Sequence, residues 1–116
     1  MKICIRAHDL GVQGTEQILQ KIRELGIDGV QMVCYKAYDD IAYQIGAITQ
    51  EKAAAIGAGF REAGAIIPLV GAYFNPVHSD REKAKRCEAI FGEYLRCCKA
   101  MGCSYVGSET GSFNDD

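Results

Sequence analysis

Leu25-Gly26-Ile27-Asp28-Gly29-Val30 is the stretch on which the reading of the fold turns, because its form comes back twice more, at Ala63-Gly64-Ala65-Ile66-Ile67 and at Met101-Gly102-Cys103-Ser104-Tyr105-Val106. Each time a helix-like run ends at a glycine and an apolar run follows within a few residues. A glycine just past a helix end takes the left-handed conformation at little steric cost, and the chain then enters a strand. Self-similarity of this kind points to a repeated supersecondary unit.

Helical periodicity fills the intervals. Ile18, Leu19, Ile22 and Leu25 share one face, as do Ala53, Ile56, Phe60 and Ala63, and again Cys87, Ile90, Tyr94, Cys98 and Met101. Thr15 and Thr49 are expected N-caps. Ser79 followed by Glu82 forms a capping-box pattern. Short runs rich in Val, Ile, Leu and Tyr predict strands over Lys2–Ala7, Gly29–Val33, Ile66–Ala72 and Tyr105–Ser108. Pro68 weakens the third, since proline gives no ladder donor. The predicted order is βαβαβαβ, an α/β chain with right-handed crossovers and a parallel sheet. The connection Tyr35–Gln50 is long enough to expect a functional role. A four-stranded sheet of this kind would expose unpaired backbone at both edges, so self-association through those edges, as a homo-oligomer, is expected.

The chain has 116 residues, 48% of them hydrophobic and 24% charged, with a formal net charge of -2. That is one soluble globular domain over residues 1–116. The charge argues against a nucleic-acid surface. The basic run Arg81, Lys83, Lys85 and Arg86 is interleaved with Asp80 and Glu82 and reads as a solvated helix face. Lys2 and Arg6 interrupt the N-terminus too early for a signal peptide, and no apolar run reaches membrane-spanning length. The expectation is a cytoplasmic protein without a membrane partner. Its six cysteines, Cys4, Cys34, Cys87, Cys97, Cys98 and Cys103, are then reduced thiols, with no C-x-x-C pair to suggest a zinc or redox site.

In parallel α/β sheets, ligands meet the carboxyl ends of the strands. The polar residues expected there are His8 and Asp9, then Cys34, Tyr35 and Lys36, then Tyr73, Asn75 and His78, and finally Ser108, Glu109 and Thr110. Strand alternation sets Ile3, Ile5 and Ala7 on one face and Cys4, Arg6 and His8 on the other. The apolar face should meet the helices, so Arg6, Gln31 and Glu109 are expected to form an interior polar network, because a buried arginine needs a carboxylate. That network is either part of a site or a structural salt bridge. His8 is either a substrate or proton-transfer group or a satisfied structural histidine. Asn75 and His78 are candidate substrate contacts, although Asn75-Pro76 is also a turn signal. Gly11-Val12-Gln13-Gly14-Thr15 precedes a helix but matches no nucleotide fingerprint.

Ala7-His8, Gly29-Val30-Gln31, Gly71-Ala72-Tyr73-Phe74-Asn75-Pro76 and Val106-Gly107-Ser108-Glu109-Thr110-Gly111 together resemble the xylose isomerase-like barrel superfamily, which holds sugar phosphate isomerases and epimerases and also endonuclease IV. The resemblance covers the whole chain but only the N-terminal half of the family fold, and so implies half of a (β/α)8 TIM barrel. It implies a sugar or sugar phosphate ligand and metal-assisted aldose–ketose isomerisation or epimerisation, in which a divalent metal holds sugar oxygens while carboxylates move a proton. Most of the family's metal ligands come from later strands, so this chain alone is expected to bind no metal and to leave the catalysis incomplete. Glutamate is common in the family where Gln31 stands. An endonuclease IV-like relative, and a non-catalytic half-barrel that self-associates, are the alternatives.

Overall fold

The structure is a computed structural model that describes residues 1–113. The repeat read from the sequence is built three times by one device. Gly26, Gly64 and Gly102 all have positive φ, between 66° and 79°. The residue after each glycine reaches back to the last helical turn: Ile27 N–H donates to Ile22 C=O at 3.3 Å, Ala65 to Phe60 at 2.9 Å and Cys103 to Cys98 at 3.0 Å. This double closure satisfies carbonyls that the helix end leaves unpaired.

The helices are α1 (Thr15–Leu25), a short α2 (Cys34–Ala37), α3 (Gln50–Glu62) and α4 (Arg81–Cys97); the glycine device ends α1, α3 and the turn that continues α4, whereas α2 ends at the extended Tyr38. A 3-10 turn at Ala7–Leu10 precedes α1, and another at Cys98–Met101 continues α4. Thr49 caps α3, its side chain accepting from Lys52 N–H at 3.1 Å. The other two caps differ from expectation. Gly14 occupies the cap of α1, and Thr15 instead shares a hydrogen bond with Tyr38 Oη at 2.6 Å. Asp80 rather than Ser79 caps α4, accepting from Lys83 N–H at 3.1 Å, since its carboxylate also suits the positive end of the helix dipole.

The strands are β1 (Cys4–Arg6), β2 (Gly29–Gln31), β3 (Val70–Gly71) and β4 (Val106–Gly107). They do not make the expected βαβαβαβ half of a (β/α)8 barrel. They form two separate two-stranded parallel sheets, β1 with β2 and β3 with β4. Between the two sheets only isolated bridges run, Gly29 to Ile66 and Met32 to Val70. The reason lies in the third expected strand. Val30 N–H bonds Ile66 C=O, but Met32 N–H next finds Leu69 C=O, so one residue too many lies on the Pro68 side. Proline has no N–H to keep the ladder in step, and the strand survives as two residues.

The core lies between these sheets and the helices. Ile18, Leu19 and Ile22 of α1, Ala53, Ile56 and Phe60 of α3, and Ile90 and Tyr94 of α4 are buried against Val30, Met32 and Val70. Gly57 of α3 lets that helix approach the Cys98–Met101 turn: a Cβ there would sit 2.1 Å from Ala100 C=O. Leu25, Ala63 and Cys87, at the ends of the stripes read from sequence, fall outside the buried set. So do Ile3 and Ile5, which are 54% and 37% exposed, whereas Ala7 is buried. β1 is an outer strand and its N-terminal half has no helix over it. All six cysteines are free thiols. Burial pushes Cys34 up to about 12, and its Sγ lies 3.8 Å from Met101 Sδ. Among the described residues no helix is long and apolar enough to cross a membrane.

Candidate functional site

Immediately after β3 the chain presents Tyr73, Phe74 and Asn75, and two phenols, Tyr35 and Tyr43, gather around Tyr73. Its N–H donates to Tyr35 Oη at 3.0 Å, and Tyr43 Oη donates to its C=O at 3.4 Å. Its own hydroxyl accepts from Gln31 Nε2. The rings of Tyr35 and Tyr43 meet edge to face with centroids 4.6 Å apart. Gly71 makes room for this arrangement, since a Cβ there would lie 2.5 Å from the Tyr73 ring. Burial raises the pKa of Tyr35, against the bond from Tyr73 N–H, which lowers it. Burial raises Tyr43 as well, and the neighbouring Cys87 thiol adds to the rise. Both phenols therefore stay protonated at neutral pH and act as hydrogen-bonding groups.

The phenols border a cleft of about 200 Å³ between the β3 exit and α4. Tyr43, Tyr73 and Phe74 form its aromatic walls. Asn75, His78, Lys83 and Glu109 are its polar lining, with Cys87 at one side. Four of the residues expected at strand ends, Tyr73, Asn75, His78 and Glu109, thus meet in one place. Their roles differ. Asn75 is a brace: its Oδ1 accepts from Val77 N–H at 3.2 Å and Ser112 N–H at 3.0 Å, and its Nδ2 donates to Ser112 C=O at 2.7 Å. His78 Nδ1 accepts from Asp80 N–H at 3.0 Å, which places the proton of the neutral ring on Nε2. Glu109, exposed just beyond β4, is the one carboxylate on the cleft among the described residues.

The expected interior network of Arg6, Gln31 and Glu109 is not formed. Arg6 Nε donates to Asp9 Oδ2 at 2.7 Å, with 62% of the Arg6 side chain exposed. A carboxylate three residues along the same turn is within reach without burial, so Arg6 needs no distant partner. Gln31 is committed to Tyr73 instead. His8 also lies apart from the cleft. Its Nε2 is 4.0 Å from Asp9 Oδ1, and its buried Nδ1 has no hydrogen-bond partner among the described residues. Burial lowers its pKa, Lys36 and Arg6 lower it further, and Asp9 opposes them.

His78, Cys87 and Glu109 all border the cleft, yet among the described residues no group of three or more His, Cys, Asp or Glu side chains is placed to hold a metal ion. The divalent metal implied by the resemblance finds no fitting ligand set there. A larger hollow of about 400 Å³ lies beside Pro68 and Gly102, at the opposite ends of β3 and β4. It is walled mainly by apolar and backbone groups, with Arg61 its one charged residue. Lys83 and Cys87 join the cleft without having been expected there. The helical register that sets Lys83, Cys87 and Ile90 on one side of α4 was the available signal.

No protein-family model matches the chain, and no curated protein or solved structure matches it either.

Proposed function

We propose that the chain binds a small hydroxylated molecule, a sugar or sugar phosphate, in the cleft between the β3 exit and α4. The observation that carries this reading is the composition of that cleft: hydrogen-bonding His78, Lys83 and Glu109 set among the aromatic walls of Tyr43, Tyr73 and Phe74. Apolar walls with a few convergent polar groups are how small-molecule sites bind and orient their ligands. Lys83 supplies a cation for a phosphate or a donor for hydroxyls, and Glu109 accepts from hydroxyls. Glu109 and His78 are also the groups able to carry a proton, as isomerase and epimerase chemistry requires. That chemistry needs an acid on each side of a carbon. Among the described residues the cleft offers one carboxylate, Glu109, and the reading is of a binding unit akin to isomerases and epimerases.

Titration calorimetry with xylose and with fructose 6-phosphate tests it. Saturable binding is expected, weakened in Glu109→Ala and Lys83→Ala variants whose circular dichroism matches the parent. Absence of binding at millimolar ligand, or affinity unchanged in both variants, removes the reading.

A second reading is self-association, and it rests on β1 and β4. Each pairs on one side only, with Ile3 and Ile5 exposed along β1 and Tyr105 exposed beside β4. Unpaired strand edges recruit further strands. Light scattering over a range of concentrations should show a defined oligomer that Ile5→Lys dissociates; a monomer throughout excludes it.

A further inference from the structure

The segment 38–49 leans on α4, and between the two runs a second groove of about 460 Å³. It touches the cleft through shared Tyr43, Lys83 and Cys87, but its character is different. Ile45, 57% exposed, and the buried Ile90 give it an apolar floor. Lys83 and Arg86 stand over that floor, and among the described residues no acidic one lines it. Glu109 faces the adjoining cleft, and three other acids nearby are engaged elsewhere. Asp80 caps α4, Glu82 pairs with Lys85 at 3.7 Å, and the Glu93 carboxylate accepts from Gly46 N–H at 2.9 Å and 3.0 Å. Among the described residues neither Lys83 nor Arg86 has a carboxylate partner. Two uncompensated cations over an apolar surface complement a molecule with an apolar body and one anionic head. The groove has the volume of an ordinary small-molecule site, about 300–1,000 Å³.

We infer that this groove, which adjoins the sugar cleft and shares Tyr43, Lys83 and Cys87 with it, is a binding site for small amphipathic carboxylates. The carboxylate meets Lys83 and Arg86, and the hydrocarbon covers Ile45, Ile90 and the ring of Tyr43. Long cationic side chains suit this role, since their stems extend the apolar floor while their heads stay in water.

Cys87 makes the occupancy measurable. It borders the groove and is partly exposed, as is Cys4, which does not border it; the other four thiols are buried. The full chain is treated with iodoacetamide with and without octanoate, and alkylation is mapped by mass spectrometry. Saturating octanoate is expected to slow Cys87 alkylation about tenfold, with Cys4 unchanged, whereas octyltrimethylammonium of equal chain length gives no protection. An Arg86→Gln, Ile45→Ser variant, changed at two exposed positions, should raise the octanoate concentration needed by about tenfold, the scale of a lost partly exposed ion pair with its apolar contact. Glu109→Ala, outside the groove, should leave protection intact, so failure of the sugar reading and failure of this one are told apart. Equal protection by the cationic amphiphile, protection unchanged in the double variant, or no protection at all would overturn the inference.

Discussion

Replacing Gly57 by alanine sets a gain in helix propensity against a steric loss, and the structure says which wins. In an exposed helix interior the change is worth about 1 kcal/mol in favour of the helix. Here the new Cβ would lie 2.1 Å from Ala100 C=O and 3.0 Å from Met101 Cα, both backbone neighbours of the Cys98–Met101 turn. Ordinary carbon–oxygen contacts begin near about 3.3 Å, so α3 and the turn must separate by roughly 1 Å. That separation loosens Phe60 and Met101, each buried to 2% exposure. Overpacking against such a partner costs about 3 kcal/mol. The net loss is about 2 kcal/mol, which lowers Tm by about 8 °C at roughly 4 °C per kcal/mol for a domain of this size. Gly92→Ala is the control. It lies within α4, and its Cβ would meet only the flexible end of Arg96 at 3.4 Å. It should raise Tm by about 2–4 °C through propensity alone. Thermal melts followed by circular dichroism measure both. A Gly57→Ala protein as stable as the parent, beside a stabilised Gly92→Ala, would refute the close approach of α3 to the turn.

Three further outcomes follow from the site and its supports. His8 has a folded-state pKa below its ordinary value of 6.5, so the unfolded chain binds the extra proton more readily; stability should fall as pH drops below that value, and the fall should be smaller in His8→Gln by urea denaturation at pH 7 and pH 5. Asn75→Ala removes three hydrogen bonds that hold Ser112 and Val77, so the Ser112 amide should exchange with solvent faster by hydrogen-exchange NMR and stability should fall by about 1–2 kcal/mol. Thr49→Ala and Asp80→Ala each remove an N-cap and should cost about 1 kcal/mol by denaturant titration, whereas Ser79→Ala should cost less.

The sequence disclosed what is local. Apolar stripes at helical spacing located the helices, and three glycines placed the helix ends, because both are decided by residues a few positions apart. The Thr49 cap was legible for the same reason. The sheet was not. Whether Ile66–Ala72 pairs throughout depends on how Pro68 shifts the step against Gly29–Met32, a partner some forty residues away. Ile3 and Ile5 alternate as core residues should, but the alternation does not say that a helix is there to cover them. At the site, Asn75, His78 and Glu109 could be grouped by their place after strands. Arg6 was assigned a distant carboxylate when Asp9 was within one turn. The Gln31–Tyr73 bond joins residues whose types gave no hint of each other; Lys83 sits in a basic run that resembles a solvated face, and Cys87 in an apolar stripe that resembles core.

On the proposed reading, a hydroxylated ligand binds in the cleft beside Tyr73. A ¹H–¹⁵N correlation spectrum of the labelled chain, titrated with fructose 6-phosphate, tests it residue by residue. Saturable shifts are expected at the amides of Tyr73, Phe74, His78, Lys83 and Glu109, with Gly102 and Cys103 at the opposite hollow unmoved. Shifts confined to Gly102 and Cys103, or none at any of these amides, would contradict it.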